Sequence, residues 1–188
     1  VATSALALTA AAAPIEAYGR LPSIADVRLS PGGAMIAYLA TTQDDHVVTI
    51  FPRDGVQKPV LLKVGRADLR SLEWADDDHL VVATSTTDDT PLGMEFTAKR
   101  EYLHAFLYDV RNGQIALIQA PDATRARNLV LQTPVVRTVN GRKVVFFSSD
   151  TPHEQRPVPT LFQMDVATGA VRQLDQGALT DREFTIGP

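Results

Sequence analysis

From Ile24 onward, apolar residues come in runs of strand length, each closed by Gly, Pro, Asn or Asp. Helical spacing is scarce. Three of the runs are dense: Met35–Ala40, Leu80–Ala83 and Val144–Phe147. They do not alternate with polar residues, which predicts strands covered on both faces. Each follows a tight polar turn, in "RLSPGGAMIAYLAT", "EWADDDHLVVATS" and "VNGRKVVFFSSD". A second element repeats downstream of each: "VTIFPRDGVQKPVLL", "FLYDVRNGQIALI" and "FQMDVATGAVRQL". Its glycines, Gly55, Gly113 and Gly169, are 58 and 56 residues apart. Each copy predicts a strand, a two-residue turn (Asp54-Gly55, Asn112-Gly113, Thr168-Gly169) and another strand. Asp-Gly and Asn-Gly suit a type I′ hairpin turn, where both central residues need positive φ.

One unit thus holds about four strands in two hairpins. Units recurring every 45–60 residues or so predict an all-β fold, a partial β-propeller of about three four-stranded blades. The blades are expected near residues 26–65, 69–119 and 129–177. A β-sandwich also has short strands and frequent turns, but the repeated pair of hairpins favours the propeller. Three blades leave two open edges, and "REFTIGP" reads as the first strand of a fourth. Residues 14–188 are therefore read as the N-terminal part of a propeller in a longer chain.

Composition narrows the function classes. Of the 188 residues, 45% are hydrophobic and 21% charged, a globular balance. The net charge of -4, without a basic cluster, gives no reason to expect nucleic acid. The absence of cysteine excludes disulfides, thiolate metal sites and a cysteine nucleophile. Ala5–Ala13 is too short to span a bilayer. With Ala10-Ala11-Ala12 as a small-x-small cleavage site, residues 1–13 read as a signal-peptide remnant, so export to a periplasm is expected. An alanine-rich surface helix is the alternative, but no apolar stripe at helical spacing follows.

The blade motifs resemble those of a known family. "RLSPGGAMIAYLAT" is similar to the opening blade motif, Ser-Pro-Asp-Gly and an apolar strand, of the prolyl oligopeptidase family of serine peptidases. "SLEWADDDHLVVATS", with Trp74 before an acidic turn, resembles the second blade. "PIEAYGRLPSIADVRLSPGG" resembles exported acylaminoacyl-peptidase-like and dipeptidyl-peptidase-like members. Gly32 departs from the motif's Asp, which forgoes the side-chain hydrogen bond of an Asx-turn. The resemblance implies a propeller capping a C-terminal α/β-hydrolase domain after Pro188, short peptides as substrates, and an acyl-enzyme mechanism. No Gly-x-Ser-x-Gly nucleophile elbow occurs here, so no catalytic residue is assigned to this segment. Its serines (Ser4, Ser23, Ser30, Ser71, Ser85, Ser148, Ser149) lie in the leader, turns or strand patterns. Non-catalytic periplasmic propellers carry similar repeats, and a protein-binding module is the alternative.

Candidate chemistry is sparse. His46 follows Asp44-Asp45, His79 follows Asp76-Asp77-Asp78, and His153 follows Asp150 in a Pro-rich loop. None has a calcium-loop or zinc spacing, and Asp in turns serves local backbone hydrogen bonds, so neither metal nor cofactor is expected. Trp74, the only Trp, is assigned to the core. A long connection from Asp88 to Glu101, in "TTDDTPLGMEFTAKREYLHAF", is the exception, because long loops on rigid scaffolds often carry function. The resemblance implies that its charged residues, Glu95, Lys99, Arg100 and Glu101, hold a peptide substrate's terminus.

Overall fold

In a computed structural model, residues 24–41, 45–56, 58–65, 67–91, 97–154, 156–178 and 183–187 are described. The leader segment lies outside them. Twelve strands form three separate four-stranded antiparallel sheets. The first holds β1 (Ile24–Leu29), β2 (Met35–Thr41), β3 (His46–Pro52) and β4 (Val60–Gly65). The second holds β5 (Asp68–Trp74), β6 (His79–Pro91), β7 (Thr97–Asp109) and β8 (Ile115–Leu117). The third holds β9 (Val135–Val139), β10 (Arg142–His153), β11 (Arg156–Asp165) and β12 (Val171–Gln176). In every sheet the strands are ordered as in the chain, so each sheet is a meander. The helical structure among the described residues is one 3₁₀ turn, Asp122–Thr124.

The sheets pack face to face as blades of a partial β-propeller, and β6 shows why its sequence is densely apolar. Leu80 and Val82 face the first blade, packing with Ala37, Val48, Ile50 and Leu72. Val81 and Ala83 point the other way, into a core with Leu107, Val145, Phe147 and Phe162. Each fully buried Val or Leu contributes about 1.5–3 kcal/mol through apolar area removed from water. The Phe147 and Phe162 rings stack at 5.4 Å across β10 and β11. Trp74 is buried in the first core, its indole N–H donating to the Arg28 carbonyl at 3.3 Å. In β2, by contrast, only Ala37 and Leu39 are fully buried, while Ile36 and Tyr38 are half-buried.

Successive inner strands are joined by side chains, with no ladder between the blades among the described residues. Asp26 accepts from the Leu72 amide at 3.0 Å, and Arg28 Nε donates to the Leu72 carbonyl at 3.0 Å. Glu73 repeats the device one blade on, accepting from the Val136 amide. Arg137 Nε then donates to the Gly187 carbonyl at 2.9 Å, drawing the segment 183–187 along β9.

Two local expectations are corrected. The Asp54-Gly55, Asn112-Gly113 and Thr168-Gly169 positions are not two-residue type I′ turns, because only their glycines have positive φ. Each is a longer loop ending in a left-handed glycine, the other common hairpin solution. Gly113 and Gly169 donate back to the carbonyls of Asp109 and Asp165, whose side chains accept from Arg111 and Thr168 amides. The type I′ turn forms at Asn140-Gly141, with φ of 50° and 77°, where Val139 pairs with Arg142. The Asp88–Glu101 stretch, expected as a long connection, is strand over 88–91 and 97–101. Both arms of the stretch are strand, and β6 and β7 pair continuously from His79↔Asp109 to Pro91↔Thr97. A polar, Thr-rich sequence reads as loop when it has no apolar face, yet two strands can pair through their backbones alone.

Candidate functional site

Strands β1 and β5 run parallel, Asp26 lying beside Leu72 and the Arg28 carbonyl beside Trp74. With each blade a meander in chain order, one rim carries the β2–β3, β6–β7 and β10–β11 turns. Two of these hairpins are prolonged. In the second blade, pairing with β5 ends at Asp68↔Ser85, while β6 and β7 continue from Thr86↔Tyr102 to Pro91↔Thr97. At roughly 3.3 Å per residue, this two-stranded arm stands about 20 Å above the blade. In the third, β10 and β11 continue to His153↔Arg156.

An isolated two-stranded ribbon is marginally stable in water, so the arm depends on its base. There Arg70 of β5 donates through Nε to Ser85 Oγ at 2.8 Å and forms an ion pair with Glu101 of β7. Asp68 Oδ2 is 3.9 Å from the same guanidinium. The Glu101 carboxyl is held below its ordinary range, first by the Ser85 hydroxyl and then by Arg70. Beside this base, a cleft of about 320 Å³ opens between the first two blades, lined by Ala25, Thr41, His46, Asp68, Leu69 and Arg70. His46 Nε2 lies 3.9 Å from Asp68 Oδ1, and its buried Nδ1 has no hydrogen-bond partner among the described residues.

The expected site residues therefore separate. Glu101 is an anchor of the arm. Lys99 and Arg100 are exposed on the arm, opposite Asp89 and Asp88 in the register, an arrangement of opposite charges that stabilises a ribbon. Glu95 lies outside the described residues. Sequence reasoning passed over Arg70, which falls at a bulge of β5 between Leu69 and Ser71, so that Leu69 and not Arg70 packs with Leu72 and Trp74.

The acid–His turn at Asp76–His79 is occupied by its own backbone. Asp76 Oδ1 accepts from the amides of Asp78 and His79 at 2.9 Å each, and lies 2.8 Å from His79 Nδ1. Ser30 Oγ accepts from the Met35 amide at 3.2 Å, and Ser149 donates to the Arg127 carbonyl at 3.0 Å. Among the described residues, no group of three His, Asp or Glu gathers as metal ligands.

No protein-family model matches this sequence, and no curated protein does. Solved structures similar to the chain include an acylaminoacyl peptidase in complex with Z-Gly-Gly-Phe-chloromethyl ketone, at 15% identity and a TM-score of 0.48. The match covers 82% of this chain and 25% of that one. An acylaminoacyl peptidase of Pyrococcus horikoshii matches at 15% identity and a TM-score of 0.49, over 83% of this chain and 25% of that one. The AtxE2 isopeptidase, with Astexin3-dC4 bound, matches at 14% identity and a TM-score of 0.37, over 82% of this chain and 33% of that one. The chain thus spans a quarter to a third of the length of these proteins.

Proposed function

We propose that this chain is the propeller segment of an exported serine peptidase of the prolyl oligopeptidase kind, which admits short peptides to a catalytic α/β-hydrolase domain of the same protein. The observation that carries the reading is the blade unit of "RLSPGGAMIAYLAT" and "SLEWADDDHLVVATS": a charged inner strand, a tight polar turn and a buried strand, repeated with the inter-blade straps Asp26–Leu72 and Glu73–Val136. The physical role is exclusion. A ring of rigid blades with arms on one rim passes an extended peptide and stops a folded protein. Hydrolysis needs a hydroxyl nucleophile, a His base and an oxyanion hole, all supplied by the hydrolase domain in this reading.

The test is to produce the full-length protein and treat it with a serine-directed phosphonate probe, then assay aminoacyl and acyl-aminoacyl chromogenic amides. Labelling of one serine beyond residue 188, with cleavage of short substrates and not of folded proteins, is the expected result. A protein that takes no label and cleaves none of these substrates refutes the reading and leaves a binding module. N-terminal sequencing of the natively produced protein tests export: loss of everything through Ala12 is expected, and a retained Val1–Ala13 segment refutes it.

A further inference from the structure

The rim carries a second cleft, of about 290 Å³, against the prolonged hairpin of the third blade. Three arginines line it: Arg125 and Arg127 from the crossing between blades, and Arg156 from the start of β11. Arg127 is tied down by its carbonyl, which accepts from Ser149 of β10, and three residues on, Val130 donates to the Leu103 carbonyl of β7. The crossing is thereby fixed between the bases of both arms. Arg125 has φ 53° and Glu154, at the hairpin turn, has φ 54°. The left-handed region is costly for residues other than glycine, and such positions concentrate at functional sites.

The charge pattern indicates what the cleft takes. Asp150 and Glu154 also line it. Yet among the described residues neither carboxylate comes within ion-pair distance of an arginine here, whereas Arg28, Arg70, Arg111 and Arg142 all have acidic partners elsewhere in the chain. Three guanidiniums against two carboxylates leave one net positive charge, and each guanidinium presents a planar fork of donors that matches a carboxylate in two-point contact. Pro152 and Pro157 add apolar wall without backbone donors of their own.

We propose that this cleft is a subsite for the free C-terminal carboxylate of a short peptide, held by Arg125, Arg127 and Arg156. The proposal rests on the peptide-admitting reading above. The arginines orient the peptide along the rim and take no part in bond cleavage.

The test is binding to the full-length protein, followed by fluorescence anisotropy with an N-terminally labelled tripeptide as free acid and as C-terminal amide. The free acid binds more tightly, and added salt narrows the difference, because exposed charge interactions are screened. Arg156→Gln and Arg125→Gln each weaken the acid roughly 10-fold or more, the effect of one charge-assisted hydrogen bond, and leave the amide unchanged. Asp150→Asn and Glu154→Gln tighten the acid by removing competing negative charge, a readout that survives if an arginine variant misfolds. Equal affinity for acid and amide overturns the proposal, as does equal weakening of both peptides by the arginine variants. Inorganic phosphate displacing the acid at equal concentration overturns it too, since the cleft would then be a general anion site. Phosphonate labelling of the same samples separates the two failures: labelling without acid discrimination sinks the subsite alone, and discrimination without labelling sinks the peptidase reading alone.

Discussion

Restoring the motif residue at position 32 should damage the protein, for a reason that lies in the next blade. The Gly32 amide donates to Asp77 Oδ1 at 2.5 Å, linking the β1–β2 turn to the acidic turn of the second blade. A Cβ at Gly32 would lie 2.5 Å from Asp77 Oδ2 and 2.9 Å from its Cγ. Position 32 therefore holds Gly because the space that an Asp would occupy is filled by another carboxylate. Asp77 is exposed and can swing away, so a side chain at 32 does not force a core clash. It removes the hydrogen bond, worth about 0.5–1.5 kcal/mol. A carboxylate at 32 adds repulsion of about 1 kcal/mol at ~4 Å in water, more where solvent is partly excluded. An Asx-turn of its own returns part of this, and Gly32→Asp should cost about 1–2 kcal/mol, or roughly 2–8 °C in Tm for a unit of this size. In an Asp77→Asn background the repulsion is gone and an amide can donate to the new carboxylate, so Gly32→Asp should be neutral or stabilising. Thermal unfolding of the four proteins of this double-mutant cycle, at pH 7 and low salt, measures the coupling. The same loss in both backgrounds would refute the account.

The remaining predictions concern the straps, the arm and the core. Burial pushes the Glu73 carboxyl up, against the opposing Val136 hydrogen bond and the Arg137 and Arg28 charges. A raised folded-state value means that its contribution is full below the ordinary carboxyl range and is lost as pH rises through the folded value. Glu73→Gln, which can still accept from Val136, should therefore be neutral or stabilising at pH 7, and that advantage should vanish at pH 4; Tm against pH checks this. Glu101 has the opposite sign: its lowered value gives stability above the ordinary range that is lost as pH falls through the folded one. Arg70→Gln should weaken that dependence, leaving the part due to the Ser85 hydroxyl, and raise amide exchange in 97–102 while leaving β10 protected. On the peptidase reading proposed above, Arg100→Ala in the full-length protein should raise KM more than it lowers kcat, the signature of a residue that binds and does not react; unchanged kinetics would make the arm's charge irrelevant. Phe147→Ala should cost about 3–5 kcal/mol and shift the urea midpoint of the whole propeller.

The blades were legible because burial writes itself into composition. Leu80-Val81-Val82-Ala83 can be apolar throughout only if both faces are covered, and the structure covers both. Trp74 and the acidic turn before β6 were legible for the same reason: Trp74 is in the core, and Asp76 caps its own turn. What failed was decided by backbone geometry that composition does not encode. Asn112-Gly113 and Asn140-Gly141 are the same dipeptide, yet only the second forms a type I′ turn, because only there do the strands pair right up to it. The arm was missed because its pairing is carried by backbone and by cross-strand charges such as Asp88 and Arg100, with no buried stripe to announce a strand. The Arg70–Ser85–Glu101 base joins residues from three strands and has no spacing signature at all.

The two rims of the blades differ in how their polar groups are used, and on the reading proposed above it is the arm side that meets a ligand. On the turn side, Asp76, Asp109 and Asp165 each accept backbone amides of their own loops. The Asp165 carboxyl is held below its ordinary range by the Thr168 hydroxyl and amide, with Arg142 adding to it. A carboxylate already satisfied by fixed donors gains little from a ligand, and displacing those donors would cost the turn. On the arm side two of the three hairpins are prolonged into ribbons. Arg70 and Glu101 suffice to fix the base of one arm, while Arg125, Arg127 and Arg156 remain without carboxylate partners among the described residues beside the other. Charges on a rigid support that are not needed by the fold are the ones free to meet a ligand, so substitutions on the turn side should register as stability and those on the arm side as binding. Thr168→Ala and Arg156→Gln make the comparison directly. The first should lower Tm and leave peptide affinity unchanged, the second should do the reverse, and an exchange of those two outcomes would put the functional rim on the wrong side.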